Sequence, residues 1–295
     1  MSEPTSTLQS ETGPVRRVVV KHARGAFVDA ASVARQWREL NYRGPPDVPA
    51  ACNESDAFAA LLRRLGAEVI WMPRDDLGMD SLYVRDASIV CDRGAVLCNM
   101  GKEARRAEPR ALGRLYADLG VPVVGAVDGV GRLEGGDFVW LSPGVAAVGL
   151  GYRTNTEGIA QVRDLLADVL DELLVVPLPH WKGPGDVFHL MSIISPLDQD
   201  VALVYEPLLP VPFRQTLLER GFTLIGVPDE EFDAMGCNVL AVAPRVAVAL
   251  EGCPRTQERM EAAGVRVHTY AGAEISAKGC GGPTCLTRPL ERALT

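Results

Sequence analysis

The chain has 295 residues, of which 47% are hydrophobic and 23% are charged, and its formal net charge is −8. This length is ample for one large globular domain whose core needs neither disulfides nor a metal. The acidic balance, with no dense run of Lys and Arg, argues against nucleic acid or an anionic membrane surface as a partner. No apolar run approaches the roughly 18 residues that a membrane-spanning helix requires.

The cysteines are scattered, odd in number and without a C-x-x-C pair. They are Cys52, Cys91, Cys98, Cys237, Cys253, Cys280 and Cys285. This usage supports neither a disulfide framework nor a zinc ribbon, and it indicates a reducing, cytoplasmic setting. The N-terminus is polar and lacks the apolar segment of a secretory signal. We therefore expect a flexible tail over residues 1–15 and a single domain over residues 16–295.

Hydrophobic periodicity predicts the same order of elements several times along the chain. A strand over 16–22, a helix over 55–66 and a strand over 67–73 come first. Four units of strand, strand, helix and strand follow: 83–91, 94–100, 108–120 and 121–127; 136–142, 144–151, 154–170 and 172–178; 188–195, 201–209, 213–221 and 222–228; 237–244, 245–252, 254–264 and 265–271. The segment "TCLTR" at 284–288 completes a fifth unit with the N-terminal elements.

Recurrence at a fixed period favours a radial or stacked repeat over a doubly wound sheet. Because the fifth unit joins both chain ends, a closed ring fits better than an open solenoid. Positions near the first strand of each unit should then face one another, at separations of 48, 55, 49 and 47 residues. They are Asp86, Glu134, His189, Asn238 and Cys285. Two carboxylates, an imidazole and a thiol at one place are typical of an active site for a cationic substrate.

Five motifs in this order carry a resemblance to a known superfamily: "DSLYVRD", "LEGGD", "YRTNTEG", "FHLMS" and "GGPTCL". Over about residues 16–292 the chain resembles the guanidine-modifying enzymes of the pentein superfamily. These include dimethylarginine dimethylaminohydrolase, arginine deiminase and the amidinotransferases. The resemblance implies an α/β fold, a five-bladed α/β propeller of pseudo-repeated ββαβ units whose fifth unit is closed by the chain ends.

The resemblance also implies a role for each residue that matches a family motif. Cys285 matches the cysteine that attacks the guanidinium carbon, and His189 matches the general acid and base. Glu134 matches the glutamate that clamps the guanidinium and orients the histidine, and Asp86 matches a guanidinium-binding aspartate. A thiolate is needed because guanidinium is a resonance-stabilised, poor electrophile. Cys280, in the same loop as Cys285, is interpreted as a bystander.

The substrate-binding residues are assigned in the same way. Asp80 matches a carboxylate behind the site, and Arg105 and Arg153 match two arginines that grip the α-carboxylate of the substrate. Without the resemblance, Arg105 would be interpreted as a solvated helix residue. Arg85 and Phe27 are also assigned to the substrate site.

Two positions depart from one or another branch of the family. Met191 stands where deiminases and amidinotransferases carry an aspartate, which favours the dimethylaminohydrolases. Arg85 stands where dimethylaminohydrolases usually carry a glutamate, whereas deiminases carry an arginine there, as this chain does. The resemblance therefore determines the chemistry better than the substrate.

The sequence thus predicts a cytoplasmic hydrolase, with no metal and no cofactor, that acts on the guanidino carbon of arginine or an Nω-substituted arginine. The expected partner is a small guanidino amino acid, and a homodimer is compatible with the sequence. The alternatives are an amidinotransferase, an arginine dihydrolase that yields ornithine, and a catalytically silent propeller that binds an amino acid or a protein partner.

Overall fold

The computed structural model describes residues 6–186 and 188–294 of the chain. Within these residues the strands are β1 (Ser6–Thr7), β2 (Val15–Val20), β3 (Glu68–Trp71), β4 (Ser88–Cys91), β5 (Gly94–Leu97), β6 (Val123–Ala126), β7 (Phe138–Ser142), β8 (Val145–Leu150), β9 (Glu172–Pro177), β10 (Ile194–Asp198), β11 (Val201–Val204), β12 (Thr223–Gly226), β13 (Leu240–Ala243), β14 (Val246–Leu250), β15 (Arg266–Tyr270) and β16 (Thr287–Ala293). The α-helices are α1 (Ala23–Ala26), α2 (Ala30–Gln36), α3 (Val48–Arg64), α4 (Glu108–Asp118), α5 (Thr156–Leu165), α6 (Val211–Glu219), α7 (Asp229–Phe232) and α8 (Pro254–Ala262).

Four of the sheets repeat one pattern of three strands. In each, an antiparallel hairpin is followed by a helix and by a third strand that runs parallel to the second. The helices that make these crossings are α4, α5, α6 and α8. Parallel strands need such a crossover, since a tight turn cannot connect them. The four predicted units are confirmed.

The fifth sheet joins the two ends of the chain. β16 pairs antiparallel with β2, which pairs parallel with β3 after the crossover helix α3. The predicted fifth unit is therefore present. The structure is a mixed α/β fold in which five sheets correspond to five pseudo-repeats.

The N-terminal segment differs from its expectation as a flexible tail. β1 pairs with β16, and Gln9, Glu11 and Thr12 are buried against the domain. The Thr7 hydroxyl donates to the Asp92 carboxylate at 2.8 Å, 85 residues away in sequence. The polar composition that indicated disorder instead supplies hydrogen bonds, so the prediction is wrong for residues 6–15, and residues 1–5 lie outside the described part.

The start of three of the five repeats also differs from its expectation as a simple strand. Residues 84–87, 135–137 and 190–192 form short 3₁₀ turns, and the strands begin only after them. The strands that follow are almost wholly buried, while the third strand of each unit is more exposed. The turns therefore deliver polar residues into the interior at the point where the apolar strands begin.

Candidate active site

The structure brings together the polar residues that precede the first strand of each unit. They are Asp86, Glu134, His189, Asn238 and Cys285. Glu134 and His189 are the residues immediately before their 3₁₀ turns, and Asp86 lies within its own turn. Hydrogen bonds connect the side chains of neighbouring units, as described below, and a cavity is lined by His189, Asn238 and Cys285 together.

Cys285 is held by Asn238. The Asn238 amide donates from Nδ2 to the Cys285 sulfur at 3.1 Å, and its Oδ1 accepts from the Thr284 backbone N–H at 3.1 Å. The second bond fixes which end of the amide faces the sulfur. A Cβ at Gly282 would lie 2.6 Å from Asn238 Oδ1, so glycine is required for this approach.

The Cys285 thiol is neutral in this arrangement. Packing around the half-buried side chain, followed by the Asp86 carboxylate, raises its pKa to about 12, although the Asn238 hydrogen bond opposes the shift. A neutral thiol is a poor nucleophile. A positive charge beside the sulfur would stabilise the thiolate and so make Cys285 a better nucleophile.

His189 and Glu134 form a buried pair. The imidazole Nε2 lies 2.7 Å from Glu134 Oε2, and its Nδ1 lies 3.9 Å from Asp86 Oδ1. Burial acts to lower the pKa of His189, but Asp86, Asp137 and Glu134 outweigh it and raise the pKa to about 9. The ring is therefore an imidazolium at neutral pH and can donate a proton.

Glu134 is ionised at the same time. Burial alone would raise the pKa of Glu134, but Arg153 and His189 hold it well below its usual range. Arg153 Nη1 lies 2.9 Å from Glu134 Oε2, and the Lys102 backbone N–H donates to Oε1 at 3.1 Å. Arg153, Lys102 and the imidazolium itself are the three donors that fix this carboxylate.

Asp86 has one oxygen engaged and one open. Its Oδ2 accepts from Arg105 Nη1 at 2.6 Å, while its buried Oδ1 has no hydrogen-bond partner in the described part of the chain. A buried carboxylate oxygen without a donor is costly. A Cβ at Gly136 would lie 2.7 Å from Oδ1 and 2.6 Å from His189 Nδ1, so only glycine leaves this space open. The arrangement has room and charge for an N–H donor of a cation.

The two arginines expected to grip a carboxylate are paired with acids. Arg105 Nε and Nη2 donate to Glu108 at 2.9 and 2.8 Å, and Nη2 also donates to the Tyr83 carbonyl at 2.9 Å. Together with its bond to Asp86, this engages all three nitrogens of a guanidinium that is 3% exposed. The placement argues against the expected contact of Arg105 with a substrate carboxylate. Arg153 uses fewer of its hydrogen-bond donors, since both of its bonds to Glu134 come from Nη1.

The remaining predicted residues lie around or outside the site. Asp80 pairs with Lys102 Nζ at 2.6 Å, which places it behind Glu134. Arg85 points away from the catalytic side chains, and its Nη2 donates to Glu11 at 2.6 Å. Phe27 is fully buried in the core, with its ring centroid 6.3 Å from that of Tyr42. The assignments of Arg85 and Phe27 to the substrate site are corrected accordingly.

A narrow cavity of about 70 Å³ adjoins Cys285 and His189. Its outer part carries charges of both signs, from Arg43, Lys182, Asp186 and Asp233. Lys182 Nζ lies 2.7 Å from Asp233 Oδ1, and Arg43 donates to the Asp233 carbonyl at 2.9 Å. Ligand pockets commonly measure about 300–1,000 Å³, so the cavity has to widen to admit an amino acid.

Asp86, Glu134 and His189 each place a donor atom within 4.8 Å of the others, a set that resembles a metal site. The donors are already bonded to one another or to arginine, however. His189 Nε2 is engaged with Glu134, and Asp86 Oδ2 with Arg105. A metal would have to replace these partners. Glu134 is already paired with protonated His189 and Arg153, and the remaining open oxygen, Asp86 Oδ1, suits an N–H donor of an organic cation better than a metal.

Three residues at the site have a role that was not predicted from the sequence. Asn238 was found as a repeat position, but its bond to Cys285 was not predicted. Asp137 bonds to the Leu190 backbone N–H at 2.9 Å and so fixes the turn after His189. Asp137 was visible as the last residue of the "LEGGD" motif, whereas nothing local to Arg43 indicates that it reaches the cavity.

The fold and this set of side chains define a member of the guanidine-modifying pentein superfamily. A family model described as arginine deiminase matches residues 79–212 and 209–292 of the chain. The chain belongs to the arginine deiminase family. The arginine deiminase of Rhodococcus opacus (strain B4) is 28% identical over 293 residues, an alignment that covers 83% of this chain and 67% of that protein.

Two solved structures show the same fold. DDAH from Pseudomonas aeruginosa, complexed with citrulline, has a TM-score of 0.76 at 22% identity and covers 93% of this chain and 98% of its own. SxtG, an amidinotransferase from Microseira wollei, has a TM-score of 0.77 at 16% identity and covers 97% of both chains. Separately, no helix among the described residues is long and apolar enough to cross a membrane.

Proposed function

We propose that the protein is a hydrolase that acts on the guanidino carbon of arginine or an Nω-substituted arginine. The products are citrulline and ammonia or an alkylamine. The observation that carries the proposal is the open Oδ1 of Asp86, a buried carboxylate oxygen 3.9 Å from protonated His189. A guanidinium N–H satisfies this oxygen and brings its charge next to Cys285.

The proposed architecture is a five-bladed propeller with this site at its axis. Each unit contacts the next in cyclic order. The junctions are the turns 84–87 with 135–137, the turns 135–137 with 190–192, β10 with β13, Asn238 with Cys285, and β16 with the turn 84–87. A closed ring of this kind explains why residues about one repeat apart in sequence share one site.

The first half of the reaction forms a covalent intermediate. The positive charge of the bound guanidinium stabilises the Cys285 thiolate, so the thiol loses its proton to solvent. The sulfur then forms a bond to the guanidino carbon. As the C–N bond breaks, protonated His189 gives its proton to the departing amine, and a cationic thiouronium and a neutral imidazole remain.

The second half releases the product. Neutral His189 takes a proton from a water molecule as the water oxygen bonds to the thiouronium carbon. The C–S bond then breaks and its electron pair returns to Cys285 as thiolate. The hydroxyl proton of the product passes to that thiolate or to solvent, and neutral citrulline leaves. Glu134, ionised and bonded to Nε2, holds the ring in position in both halves.

The charges at the cavity mouth support an α-amino acid as the substrate. Arg43 and Lys182 suit a carboxylate, and Asp186 and Asp233 suit an ammonium group. Arg153 is a further candidate for the carboxylate through nitrogens that Glu134 does not use. Position 191 carries methionine rather than a carboxylate, which removes one partner for unsubstituted guanidinium N–H groups and favours an Nω-substituted arginine.

Product analysis tests the proposal. The protein is incubated with arginine, monomethylarginine, dimethylarginine and agmatine, each with and without glycine or ornithine as an acceptor amine. Citrulline formed independently of acceptor is expected. Product that requires the acceptor would assign an amidinotransferase, ornithine without added acceptor would assign a dihydrolase, and no turnover of any substrate would favour a binding protein.

A further inference from the structure

Three buried arginines form a cluster apart from the catalytic side chains. Arg85, Arg288 and Arg292 are 1%, 4% and 1% exposed, and all three line one small cavity with Glu11. The cavity measures about 10 Å³, which is the space of a single small molecule or ion. None of these residues takes part in the proposed reaction. We call them the arginine cluster.

The positive charge of the arginine cluster exceeds the negative charge bonded to it. Glu11 accepts from Arg85 Nη2 at 2.6 Å and is the one carboxylate that pairs with the cluster in the described residues. Glu291 also lines the cavity, but it is partly exposed and has no ion pair among those residues. Burial, reinforced by Arg85, lowers the pKa of Arg288 to about 10, and burial lowers that of Arg292 to about 10 as well. Both therefore remain charged at neutral pH.

The arginine cluster also has hydrogen-bond donors to spare. Arg292 Nη1 donates to the Gly13 and Ala241 carbonyls at 2.6 and 2.9 Å, and Arg288 Nη2 donates to the Arg85 carbonyl. Four buried nitrogens have no acceptor within residues 6–186 and 188–294: Arg85 Nε, Arg288 Nε, Arg292 Nε and Arg292 Nη2. Buried guanidinium N–H groups without acceptors are costly, and buried charges are ordinarily paired.

We propose that the arginine cluster binds one small monovalent anion of about the size of chloride. An anion supplies the missing acceptor and also offsets the excess charge, whereas a water molecule could supply only the acceptor. The cavity is too small for phosphate, sulfate or a carboxylate ligand, since it holds about one water-sized sphere.

The position of the cluster connects this site to the catalytic turns. Arg85 precedes Asp86 directly, and Arg288 lies three residues after Cys285 and bonds to the Arg85 carbonyl. The Arg85 backbone N–H also donates to the Cys285 carbonyl at 3.2 Å. The bound anion would therefore stabilise the segments that carry both residues, whatever reaction they perform.

Anion-dependent stability and a halide-soaked crystal test the proposal. The Tm of the full chain is measured in sodium chloride, sodium bromide and sodium gluconate at one ionic strength, and a bromide-grown crystal is examined at the bromine absorption edge. We expect Tm to be higher by several degrees in either halide than in gluconate, with an anomalous peak between Arg85, Arg288 and Arg292. Equal Tm values in all three salts, or an ordered water at that place, would overturn the proposal.

The chloride dependence of Tm in variants distinguishes anion binding from a purely structural role of the arginine cluster. Glu11→Gln removes the carboxylate that competes with the anion. The chloride concentration that gives half of the maximal rise in Tm should therefore be lower than in the parent. Arg292→Met should weaken the effect, and if this variant fails to fold, Glu11→Gln still decides the question. Arg106→Gln removes an exposed arginine that pairs with Glu103 and should respond as the parent does. An unchanged chloride dependence in Glu11→Gln would contradict the proposal.

Discussion

Cys285 and His189 differ from the usual catalytic thiol and imidazole in their resting charges. The structure gives a thiol with a pKa of about 12 and an imidazolium with a pKa of about 9. The pair is therefore not a preformed thiolate–imidazolium at neutral pH. In the proposed mechanism, its activation depends on a cation that is delivered by the substrate itself.

The reactivity of Cys285 toward alkylating reagents should show this dependence. The rate constant with neutral iodoacetamide should rise about tenfold per pH unit from pH 7 to 10 without a plateau, because the thiolate fraction grows throughout that range. A cationic haloacetamidine should react much faster at pH 7, since its charge is attracted by Asp86 and Glu134. Peptide mass mapping measures the site, with Cys280→Ser as the control that should label normally. A plateau below pH 9, or labelling of Cys280, would contradict the assignment.

The preference for an amino acid should depend on cations at the cavity mouth. Losing one charge-assisted hydrogen bond costs about 1.5–3 kcal/mol, which corresponds to about ten- to a hundredfold in affinity. Agmatine should therefore have a kcat/KM lower by about that factor than the matching amino acid. Arg43→Ala should reduce kcat/KM for the amino acid and leave agmatine nearly unchanged. Arg153→Ala also removes a partner of Glu134, so it should reduce kcat/KM for both substrates, and more for the amino acid if Arg153 binds the carboxylate.

Arg106→Ala, at an exposed ion pair, is the matched control for these two variants. If agmatine and the amino acid are used equally well by the parent protein, no carboxylate contact is made. If only one of the two variants narrows the gap, that arginine makes the contact and the other is structural.

At the scale of elements, the 3₁₀ turns position the site. Periodicity predicts where strands and helices occur, because apolar alternation and helical spacing are local signals. The turns at 84–87, 135–137 and 190–192 were not predicted, since they depend on partners in other units. The Leu190 backbone N–H, for example, is held by Asp137, 53 residues earlier. Such a bond cannot be predicted from the local sequence around either residue.

Gly136 is the point at which one turn is most sensitive to substitution. In Gly136→Ala the new methyl group would meet His189 Nδ1 at 2.6 Å and Asp86 Oδ1 at 2.7 Å, so these side chains have to separate. We expect kcat to fall by at least about tenfold, as misplacement of a catalytic group by about 1 Å can cost a hundredfold. Tm should change by much less than kcat.

Gly25→Ala is the control for this substitution, because the nearest atom to its Cβ would be 3.8 Å away. It should leave kcat unchanged and keep or slightly raise Tm, since alanine favours the helical conformation. A Gly136→Ala protein with parental kcat would show that the spacing of His189 and Asp86 is not critical.

At the scale of the whole molecule, the five units and the joining of the chain ends could be predicted, whereas the placement of the N-terminal segment could not. The repeat was visible because all five units share one apolar pattern. Residues 6–13 have no such pattern, and their burial depends on Asp92, Arg85 and Arg292, which are remote in sequence. Arg85 was misassigned for the same reason, since its side chain is directed by Glu11, 74 residues away. Arg105 differs, since it pairs with Glu108, three residues on, as well as with Asp86.

Asp92 ties this segment to the first complete unit. Its carboxylate accepts from Thr7 Oγ1 at 2.8 Å and from the Leu8 backbone N–H at 2.5 Å. Asp92→Ala should lower the free energy of unfolding by about 1–3 kcal/mol, the range for hydrogen bonds to charged groups. Urea unfolding at fixed salt measures the change. Asp168→Ala, which breaks only the exposed pair with Arg93, should cost less than about 1 kcal/mol. Equal effects of the two variants would mean that the segment contributes nothing beyond surface charge.

The central claim is that Cys285 forms a covalent bond to the guanidino carbon and that His189 then activates water. Intact-mass and peptide mass spectrometry of His189→Gly, incubated with an S-alkyl thiocitrulline, tests both parts. This substrate has a leaving group that needs no acid, so attack should proceed while hydrolysis stalls. One adduct per chain is expected, on Cys285, and it should be absent from the Cys285→Ser, His189→Gly double variant. Turnover of His189→Gly at the parental rate, or an adduct on Cys280 instead, would contradict it.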